Sequence, residues 1–269
     1  MRIAAAQIVT GEDTHENLRL VERWTEKAAK AGARVVVFPE ATQRAFGHSL
    51  TPIAEPVHGP WASSVREIAD MHGITVVAGM FTPASPGPDG RERVTNTLIA
   101  VGAGVRTSYD KVHLYDAFGF KESATVEPGD RLVQFEVDGV RIGLATCYDI
   151  RFPNLFTAHA RAGAVATILP ASWGAGPGKV DQWELLARAR ALDSTQYIVA
   201  CGQGLPGAAG VQAPEKAPTG VGHSMVVSPT GKILARAGEA PQLLTAEIDP
   251  EAAENARRLI PVLANARDL

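Results

Sequence analysis

Apolar runs and helical periodicities alternate along the first half of the chain. Residues 2–9 form an apolar run, and residues 14–31 carry apolar side chains at every third or fourth position. The first pattern predicts a buried strand and the second predicts an amphipathic helix with Thr14 as its N-cap. The alternation continues with predicted strands at 35–38, 74–80, 94–101 and 104–109 and a predicted helix at 60–72.

The second half repeats this alternation. An Asp138-Gly139 pair between two apolar runs predicts a hairpin turn. Strands are predicted at 131–137, 140–146, 164–169, 196–201, 223–228 and 243–248, and helices at 154–162 and 179–194. Alternating strands and helices of this kind are typical of an α/β fold whose sheets are buried between helical layers.

Two stretches of the chain share one sequence pattern. KAGARVVVFPE (30–40) and RAGAVATILPA (161–171) align without a gap, and each follows a predicted helix. Further upstream, each half contains a strand that opens with Arg-Ile, in RIAAAQ (2–7) and RIGLAT (141–146). We therefore predict two halves that each contain a β–α–β unit and are related by an approximate two-fold axis. The alternative is that any α/β chain repeats a helix, a glycine and a strand.

Composition limits the expected partners and compartment. The 269 residues fit one large α/β domain spanning 1–269. The net charge is −3 and the chain has no basic runs, so the sequence predicts no positive surface that would bind nucleic acid or anionic membranes. We therefore expect neither partner. Two cysteines provide no disulfide framework, the N-terminal apolar stretch is too short for a signal peptide, and no apolar run reaches 18 residues. We therefore expect a cytoplasmic protein.

Two candidate catalytic residues, Glu40 and Cys147, each lie just past the end of a predicted strand, one in each half. Sites in α/β folds gather at such edges, and two facing halves would bring these edges together. A thiol beside a base can act as a nucleophile, and a carboxylate can accept its proton. Taken singly, a buried structural cysteine and a solvated glutamate are the commoner alternatives.

A candidate cation, Lys111, lies in SYDKVHLYD (108–116), a stretch that follows a strand and is partly apolar. An ammonium near a thiol would favour the thiolate and stabilise a developing oxyanion. Glu122, eleven residues later, offers a second carboxylate that could orient the lysine. The alternative is a surface ion pair between Lys111 and the neighbouring aspartates.

These residues belong to a series of motifs that runs along nearly the whole chain. The series is VVFPE (36–40), YDKVHLYD (109–116), KES (121–123), GLATCYDIRFP (143–153), LPASW (169–173), WELLARARALD (183–193), GHSMVVSPTGKIL (222–234) and LIPVLANARDL (259–269). In order and spacing it resembles the nitrilase (carbon–nitrogen hydrolase) superfamily. The last motif is similar to the tails of the Nit-type amidases, which include ω-amidases and deaminated glutathione amidases.

The resemblance implies roles for four residues. Glu40 corresponds to the general base, Lys111 to the catalytic lysine, Cys147 to the nucleophile and Glu122 to an additional active-site glutamate. It also implies an αββα sandwich that pairs through helices into a homodimer, with no metal or organic cofactor. The implied reaction is hydrolysis of a C–N bond in a small amide through a cysteine thioester, with release of ammonia.

Three further residues are predicted to contact the substrate. The backbone N–H of Tyr148 is expected to bind the oxyanion together with the lysine. Arg151 lies where relatives that bind carboxylated amides place an arginine, and it could grip a carboxylate bidentately. A structural salt bridge with Asp149 or another acid is the alternative. Trp173 either walls the pocket or packs in the core.

Two positions depart from the Nit-type pattern. Asp181-Gln182 precede Trp183, where these amidases usually carry a histidine, and Asn154 follows Arg-Phe-Pro, where glutamate is common. The resemblance therefore leaves the substrate open. An N-carbamoyl amino acid hydrolase or a nitrilase would use the same catalytic residues.

Some parts of the sequence are also compatible with other classes of function. GQGLPG (202–207) matches the glycine pattern of dinucleotide-binding turns, but AAGVQAPEKAPT (208–219) lacks the helix that should follow. We predict instead a flap near the site or the dimer interface. A papain-like hydrolase would use His113 or His223 as its base. A pseudo-hydrolase that binds a partner or senses thiol oxidation would involve Cys201.

Overall fold

Two sheets form the centre of the molecule. The computed structural model describes residues 1–117, 119–212 and 217–267. The strands in these residues are β1 (Arg2–Gln7), β2 (Val35–Val37), β3 (Thr75–Pro83), β4 (Val94–Gly102), β5 (Val105–Asp110), β6 (Val126–Glu127), β7 (Gln134–Val137), β8 (Val140–Leu144), β9 (Ala166–Ala171), β10 (Tyr197–Gly202), β11 (Met225–Val227), β12 (Ile233–Arg236) and β13 (Gln242–Glu247). The first sheet has the order β13-β1-β2-β3-β4-β5 with β6 beside β4, and the second has the order β12-β11-β10-β9-β8-β7.

Six helices in the described residues surround the two sheets. They are α1 (Thr14–Lys30), α2 (Pro60–His72), α3 (Pro153–Arg161), α4 (Lys179–Ser194), α5 (Pro250–Leu259) and α6 (Val262–Asn265). In the described part of the chain, no helix combines the length and the apolar character needed to cross a membrane.

The two halves have the same topology. Strands β1, β2 and β3 are parallel neighbours, followed by antiparallel β4 and β5, and β13 lies antiparallel to β1. Strands β8, β9 and β10 repeat the parallel set, β11 and β12 the antiparallel pair, and β7 the flanking strand. Helices α1 and α2 occupy the crossovers that α3 and α4 occupy in the second half. The predicted repetition is therefore present in the fold.

Apolar side chains fill three layers. Alternate residues of a strand point to opposite faces, so Ile3 and Ala5 of β1 pack against the second sheet while Ala4 and Ala6 pack against the helices. The first outer layer contains α1 and α2, and the second contains α3 and α4. The order is helix, sheet, sheet, helix, which confirms the predicted α/β sandwich and explains why the strands read as continuous apolar runs.

The ends of elements differ from the predictions in a few places. The N-cap of α1 is Asp13, not Thr14, because the Asp13 carboxylate accepts hydrogen bonds from the backbone N–H groups of His15 and Glu16. A carboxylate is also favoured by the positive end of the helix. The sequence analysis missed β6, β12, α5 and α6. Helix α5 has a recognisable start, because Asp249 caps it and Pro250 is its first residue.

Candidate active site

Glu40 is held in a sharp bend after β2. The next residue, Ala41, has a φ of 56°. Gly79 on β3 allows this bend to lie against the strand, since a Cβ there would stand 2.7 Å from the Ala41 nitrogen. The Glu40 carboxylate is 1% exposed and accepts hydrogen bonds from Asn96 Nδ2 at 2.7 Å and from the Ser172 backbone N–H at 2.8 Å. These donors compensate the loss of water around a buried charge.

Lys111 lies immediately after β5 and connects two acids. Its Nζ is 3.1 Å from Glu40 Oε1 and 2.9 Å from Glu122 Oε2, and the side chain is 3% exposed. Glu122 begins a 3₁₀ helix at Glu122–Ala124 and also accepts the backbone N–H of Tyr115 at 2.6 Å. Burial lowers the pKa of Lys111, but the two carboxylates outweigh burial and raise the pKa above its ordinary value. The ammonium therefore stays charged.

Cys147 stands at the turn between β8 and a 3₁₀ helix, Cys147–Arg151. Its φ of 44° is rare for a residue with a side chain, and such strain is often found at functional sites. Burial raises the pKa of the thiol well above its ordinary value, and the Glu40 carboxylate raises it further, while Lys111 acts in the opposite direction. The expected effect of Lys111 on the thiol is thus present but outweighed, so the resting thiol is protonated and has a carboxylate nearby.

Asp149 joins the 3₁₀ helix of Cys147 to the segment of Lys111. This fully buried carboxylate accepts the Tyr109 hydroxyl at 2.7 Å and the Thr146 N–H at 2.8 Å through Oδ2. Its Oδ1 accepts the His113 N–H at 3.0 Å and lies 2.7 Å from His113 Nδ1. Because Tyr109 and His113 flank Lys111, these bonds fix the position of Cys147 relative to the ammonium.

Arg151 lies at the rim of the site without an acidic partner. Its Cζ is 5.3 Å from the centre of the Trp173 ring, and its Nη2 donates to Gln182 Oε1 at 2.8 Å. Across residues 1–117, 119–212 and 217–267, no aspartate or glutamate forms an ion pair with it. The alternative of a salt bridge with Asp149 is wrong, because both oxygens of Asp149 are occupied by other donors. Gln182, at a position that departs from the family, orients the guanidinium.

The other two predicted substrate residues lie beside it. Trp173 is 5% exposed and packs 5.2 Å from Trp183, centre to centre, so it belongs to the core and also borders Arg151. The Tyr148 ring meets the Tyr115 ring edge to face at 5.0 Å. The Tyr148 N–H is in the first turn of the 3₁₀ helix, where backbone N–H groups lack an intrahelical acceptor.

The sequence analysis missed one polar residue at the centre of the site. Asn96 on β4 donates to Glu40 Oε1 and, at 3.4 Å, to Glu122 Oε1, so it connects both acids. Its Oδ1 is buried without a hydrogen-bond partner in the described residues. A buried asparagine inside the strand VTNTLIAVG is disfavoured by strand propensity, and this was the available signal.

The structure also bears on the other classes of function. The His113 ring stacks on Phe152 at 3.7 Å and faces Asp149, so it serves the fold around the site. Cys201 is fully buried between the sheets, donates to the Val37 carbonyl at 3.2 Å, and has a pKa raised by burial. The last two residues of GQGLPG begin a 3₁₀ helix, Pro206–Ala209, and the described residues 208–212 and 217–219 contain no α-helix.

Two predicted features fall partly outside the described residues. Residues 213–216 of the predicted flap and residues 268–269 of the tail motif belong to this group. In the residues that are described, no cluster of three or more His, Cys, Asp or Glu side chains is arranged to hold a metal ion.

Comparisons with known proteins agree with this architecture. The family model described as carbon-nitrogen hydrolase matches residues 2–258. A Mycobacterium tuberculosis protein named hydrolase Rv0480c is 56% identical over 100% of this chain and 96% of its own length. The deaminated glutathione amidase of Escherichia coli O157:H7 is 34% identical over 99% of this chain and 97% of its own.

A solved structure extends the agreement to the fold. Nit3 of Saccharomyces cerevisiae, described as a member of branch 10 of the nitrilase superfamily, superposes with a TM-score of 0.80 at 29% identity. The match covers 97% of this chain and 94% of that one. The resemblance stated from the motifs is therefore confirmed, and the chain belongs to the carbon–nitrogen hydrolase family of enzymes.

Proposed function

We propose that this enzyme is an amidase that hydrolyses small carboxylated amides through a thioester on Cys147. One observation carries the proposal: the Lys111 ammonium lies within 3.1 Å of the Glu40 carboxylate and 2.9 Å of the Glu122 carboxylate, beside the protonated thiol. Hydrolysis of an amide through a thioester uses a base, a nucleophile and a positive charge that stabilises the oxyanion.

In the acylation step, Glu40 accepts the thiol proton as the sulfur of Cys147 attacks the amide carbon. Glu40, Glu122 and Lys111 together carry one net negative charge, so a free thiolate would add to it. Proton transfer therefore accompanies attack and does not precede it. The Lys111 ammonium and the Tyr148 N–H bind the oxyanion that forms. The C–N bond then breaks, Glu40 returns the proton to the leaving nitrogen, and ammonia departs.

In the deacylation step, Glu40 accepts a proton from water as the water oxygen attacks the thioester carbon. The same two donors bind the second oxyanion. The C–S bond breaks, the sulfur of Cys147 regains the proton from Glu40, and the carboxylic acid leaves. The net reaction consumes one water and one amide and yields one acid and one ammonia. Glu122 and Asn96 keep Lys111 and Glu40 in position throughout.

The carboxylate on the substrate is inferred from Arg151. A guanidinium at the rim, with no acid paired to it in the described chain, is suited to bind a carboxylate bidentately. The name of the E. coli relative, deaminated glutathione amidase, supports an amide that carries carboxylates. An N-carbamoyl amino acid also carries a carboxylate, so it is the second candidate for the same observation.

Ammonia release from a panel of compounds tests the proposal. The panel contains α-ketoglutaramate, deaminated glutathione, N-carbamoyl amino acids, an uncharged aliphatic amide and a nitrile. We expect kcat/KM for a carboxylated amide to exceed that for the uncharged amide by about 10-fold or more, as a charged hydrogen bond would give. Only the acylated Cys147 peptide, and not the Cys201 peptide, should gain the acyl mass after acid quench. A profile dominated by the nitrile would contradict the proposal.

We also propose a homodimer in the cytoplasm. Exposed leucines at 185 and 192 on α4 lie on a helix that α6 also contacts, and Leu259 and Ile260 at the end of α5 are exposed as well. Such apolar residues on neighbouring helices are suited to a helix-to-helix interface. Sedimentation equilibrium should give twice the chain mass, and Leu185→Glu with Leu192→Glu should give the monomer. Cell fractionation tests the compartment.

A further inference from the structure

A second cation stands beside Arg151, at the start of α4. Lys179 is the first residue of this helix and is half-buried. Its Nζ lies 5.4 Å from the centre of the Trp173 ring and 5.8 Å from the centre of the Tyr115 ring. Trp173 Nε1 donates to the Lys179 carbonyl at 2.8 Å, so the ring is attached to the helix turn that carries the lysine.

Arg151 and Lys179 share this aromatic ring. The Arg151 Cζ is 5.3 Å from the centre of the Trp173 ring, so the two charges lie within about twice that distance of each other. Gln182, which holds Arg151, is three residues after Lys179 on α4. One helical turn therefore positions both cations against one wall of the site.

The two positive charges are unfavourable for each other. Burial lowers the pKa of Lys179, Arg151 lowers it further, and the nearby Cys147 acts in the opposite direction. The Tyr115 ring that the ammonium faces meets the ring of Tyr148, the residue after Cys147, edge to face at 5.0 Å, so the ammonium lies on the same side of the site as the thiol. An anion bound between two cations removes their repulsion and gains two attractions, so such a pair is suited to hold a carboxylate.

We propose that Lys179 is a specificity-determining residue that binds the substrate carboxylate together with Arg151 over the Trp173 ring. The inference rests on the proposed function and deepens it. The preferred substrates are then amides whose acyl part carries a carboxylate at its far end, monoamides of dicarboxylic acids. The reacting amide lies at Cys147, and the carboxylate binds between the two cations.

Turnover of two matched amides tests the inference. Succinamate carries the carboxylate, and butanamide has the same carbon number without it. In Lys179→Met, which keeps an unbranched side chain one atom shorter and removes its charge, we expect KM for succinamate to rise about 10-fold or more while kcat stays within about twofold. The kcat/KM for butanamide should not fall. Lys179→Arg, which keeps the charge, should retain most of the selectivity.

Lys27→Met serves as the matched control. Lys27 on α1 lies 4.2 Å from the centre of the Trp24 ring, so it makes the same kind of contact away from the site. This variant should leave both amides unaffected. An equal loss for succinamate and butanamide in Lys179→Met would overturn the inference, because a residue that only shapes the site affects both amides.

Binding without turnover separates this inference from the proposed function. Succinate should bind to Cys147→Ala in calorimetry, and addition of Lys179→Met should weaken its binding about 10-fold or more. If that loss occurs but no amide is hydrolysed by the wild type, the anion site stands and the proposed reaction fails. Unchanged succinate affinity in the double variant would overturn the role of Lys179 even if amides are hydrolysed.

Discussion

The two halves of the molecule share a topology but differ in the chemistry at equivalent strand ends. Glu40 lies just past β2. Its aligned position, Ala171, is the last residue of the equivalent strand, β9, and Ser172 comes next. Glu40 carries a carboxylate, and Ser172 donates its backbone N–H to that carboxylate at 2.8 Å and its hydroxyl to the Glu40 carbonyl at 3.2 Å. The ends of β2 and β9 therefore face each other, and the hydrogen-bond donors after β9 pair with the acceptors after β2.

The same division holds for the rest of the site. The first half contributes the acids, the lysine and Asn96, and the second half contributes the thiol, the two rim cations and the Tyr148 N–H. Neither half contains both the proposed base and the proposed nucleophile, so the distance between Glu40 and Cys147 depends on contacts between the halves. Such contacts are the hydrogen bond that Glu40 accepts from Ser172 and those that Asp149 accepts from Tyr109 and His113. The interface between the halves is thus a working part of the enzyme.

The largest expected effect comes from Cys147, and the other cysteine of the second half, Cys201, serves as its control. Cys147→Ala should lower kcat by about 10⁶-fold, as loss of a nucleophile does. Its far-UV circular dichroism spectrum should be unchanged. Cys201→Ala should keep wild-type kcat and lose about 1 kcal/mol of unfolding free energy, since it removes one buried hydrogen bond. Ammonia release and urea unfolding measure both variants. Substantial turnover by Cys147→Ala would remove the basis for the thioester.

The lysine of the first half comes next. Lys111→Met should lower kcat by about 10²–10³-fold, because one oxyanion donor is lost. It also leaves the buried Glu40 and Glu122 carboxylates without a counter-charge, so the unfolding free energy should fall by about 3–5 kcal/mol. Lys30→Met, which breaks an exposed pair with Glu26, should change it by less than about 1 kcal/mol. A Lys111 variant with wild-type kcat would contradict this assignment.

The contact between halves at Asp149 can be weakened without touching a reacting group. In Asp149→Asn, the amide nitrogen must face either the Thr146 N–H or the His113 N–H, so one donor is unpaired in both orientations. We expect a loss of about 2–4 kcal/mol in unfolding free energy and of up to about 10²-fold in kcat. Tyr109→Phe, which removes one hydrogen bond, should lose about 1 kcal/mol. A destabilised Asp149→Asn with full kcat would show that this contact does not set the site's geometry.

The last prediction concerns a difference in packing between the halves and affects stability only, not turnover. Ala4 in RIAAAQ corresponds to Gly143 in RIGLAT, and a Cβ at Gly143 would lie 2.5 Å from the ring of His159. The ring is fully buried, its Nε2 lies 3.0 Å from the Leu144 carbonyl, and burial lowers its pKa from 6.5 to about 4. Between pH 6.5 and about 4, His159 is therefore protonated in the unfolded chain but neutral in the folded chain. Stability should fall as pH falls from about 6.5 to 4, by up to about 3 kcal/mol.

Urea unfolding at pH 7 and pH 4.5 measures this loss. His159→Gln removes the titrating group, so its unfolding free energy should fall less on acidification than that of the wild type. His58→Gln, at an exposed position, should follow the wild type. Equal losses in wild type and His159→Gln would assign the acid sensitivity to other groups.

The sequence predicted the fold and the participants of the site better than their contacts. Apolar periodicity is local, so it located most strands and the helices α1 to α4. The gapless alignment of residues 30–40 with residues 161–171 predicted the repeated topology. Strands β6 and β12 were not predicted. Strand β6 has a single apolar residue, Val126, and β12 lies at the edge of its sheet, where its residues alternate between half-buried and exposed. Helix α5 was not predicted, although Asp249 as an N-cap and Pro250 at the first helical position indicate its start.

The contacts of the site depend on tertiary placement, which motifs do not encode. Asn96, Ser172 and Asp149 each bond to a group that is distant along the chain, so nothing in their local sequence indicates the partner. The protonated state of Cys147 was also not predicted, because it depends on how deeply the thiol is buried and on the net charge around it. Lys179 escaped notice because cations at a helix start are usually solvated.

The left-handed backbone at Cys147 has a consequence for how this enzyme can change. A side chain in that conformation is disfavoured by roughly 1–2 kcal/mol, whereas glycine adopts it freely. Selection for stability alone would therefore favour glycine at this position, and the proposed role of the sulfur is what would oppose that change. A lineage that no longer required turnover would be expected to lose the nucleophile early, and the rest of the scaffold would become more robust as it did so.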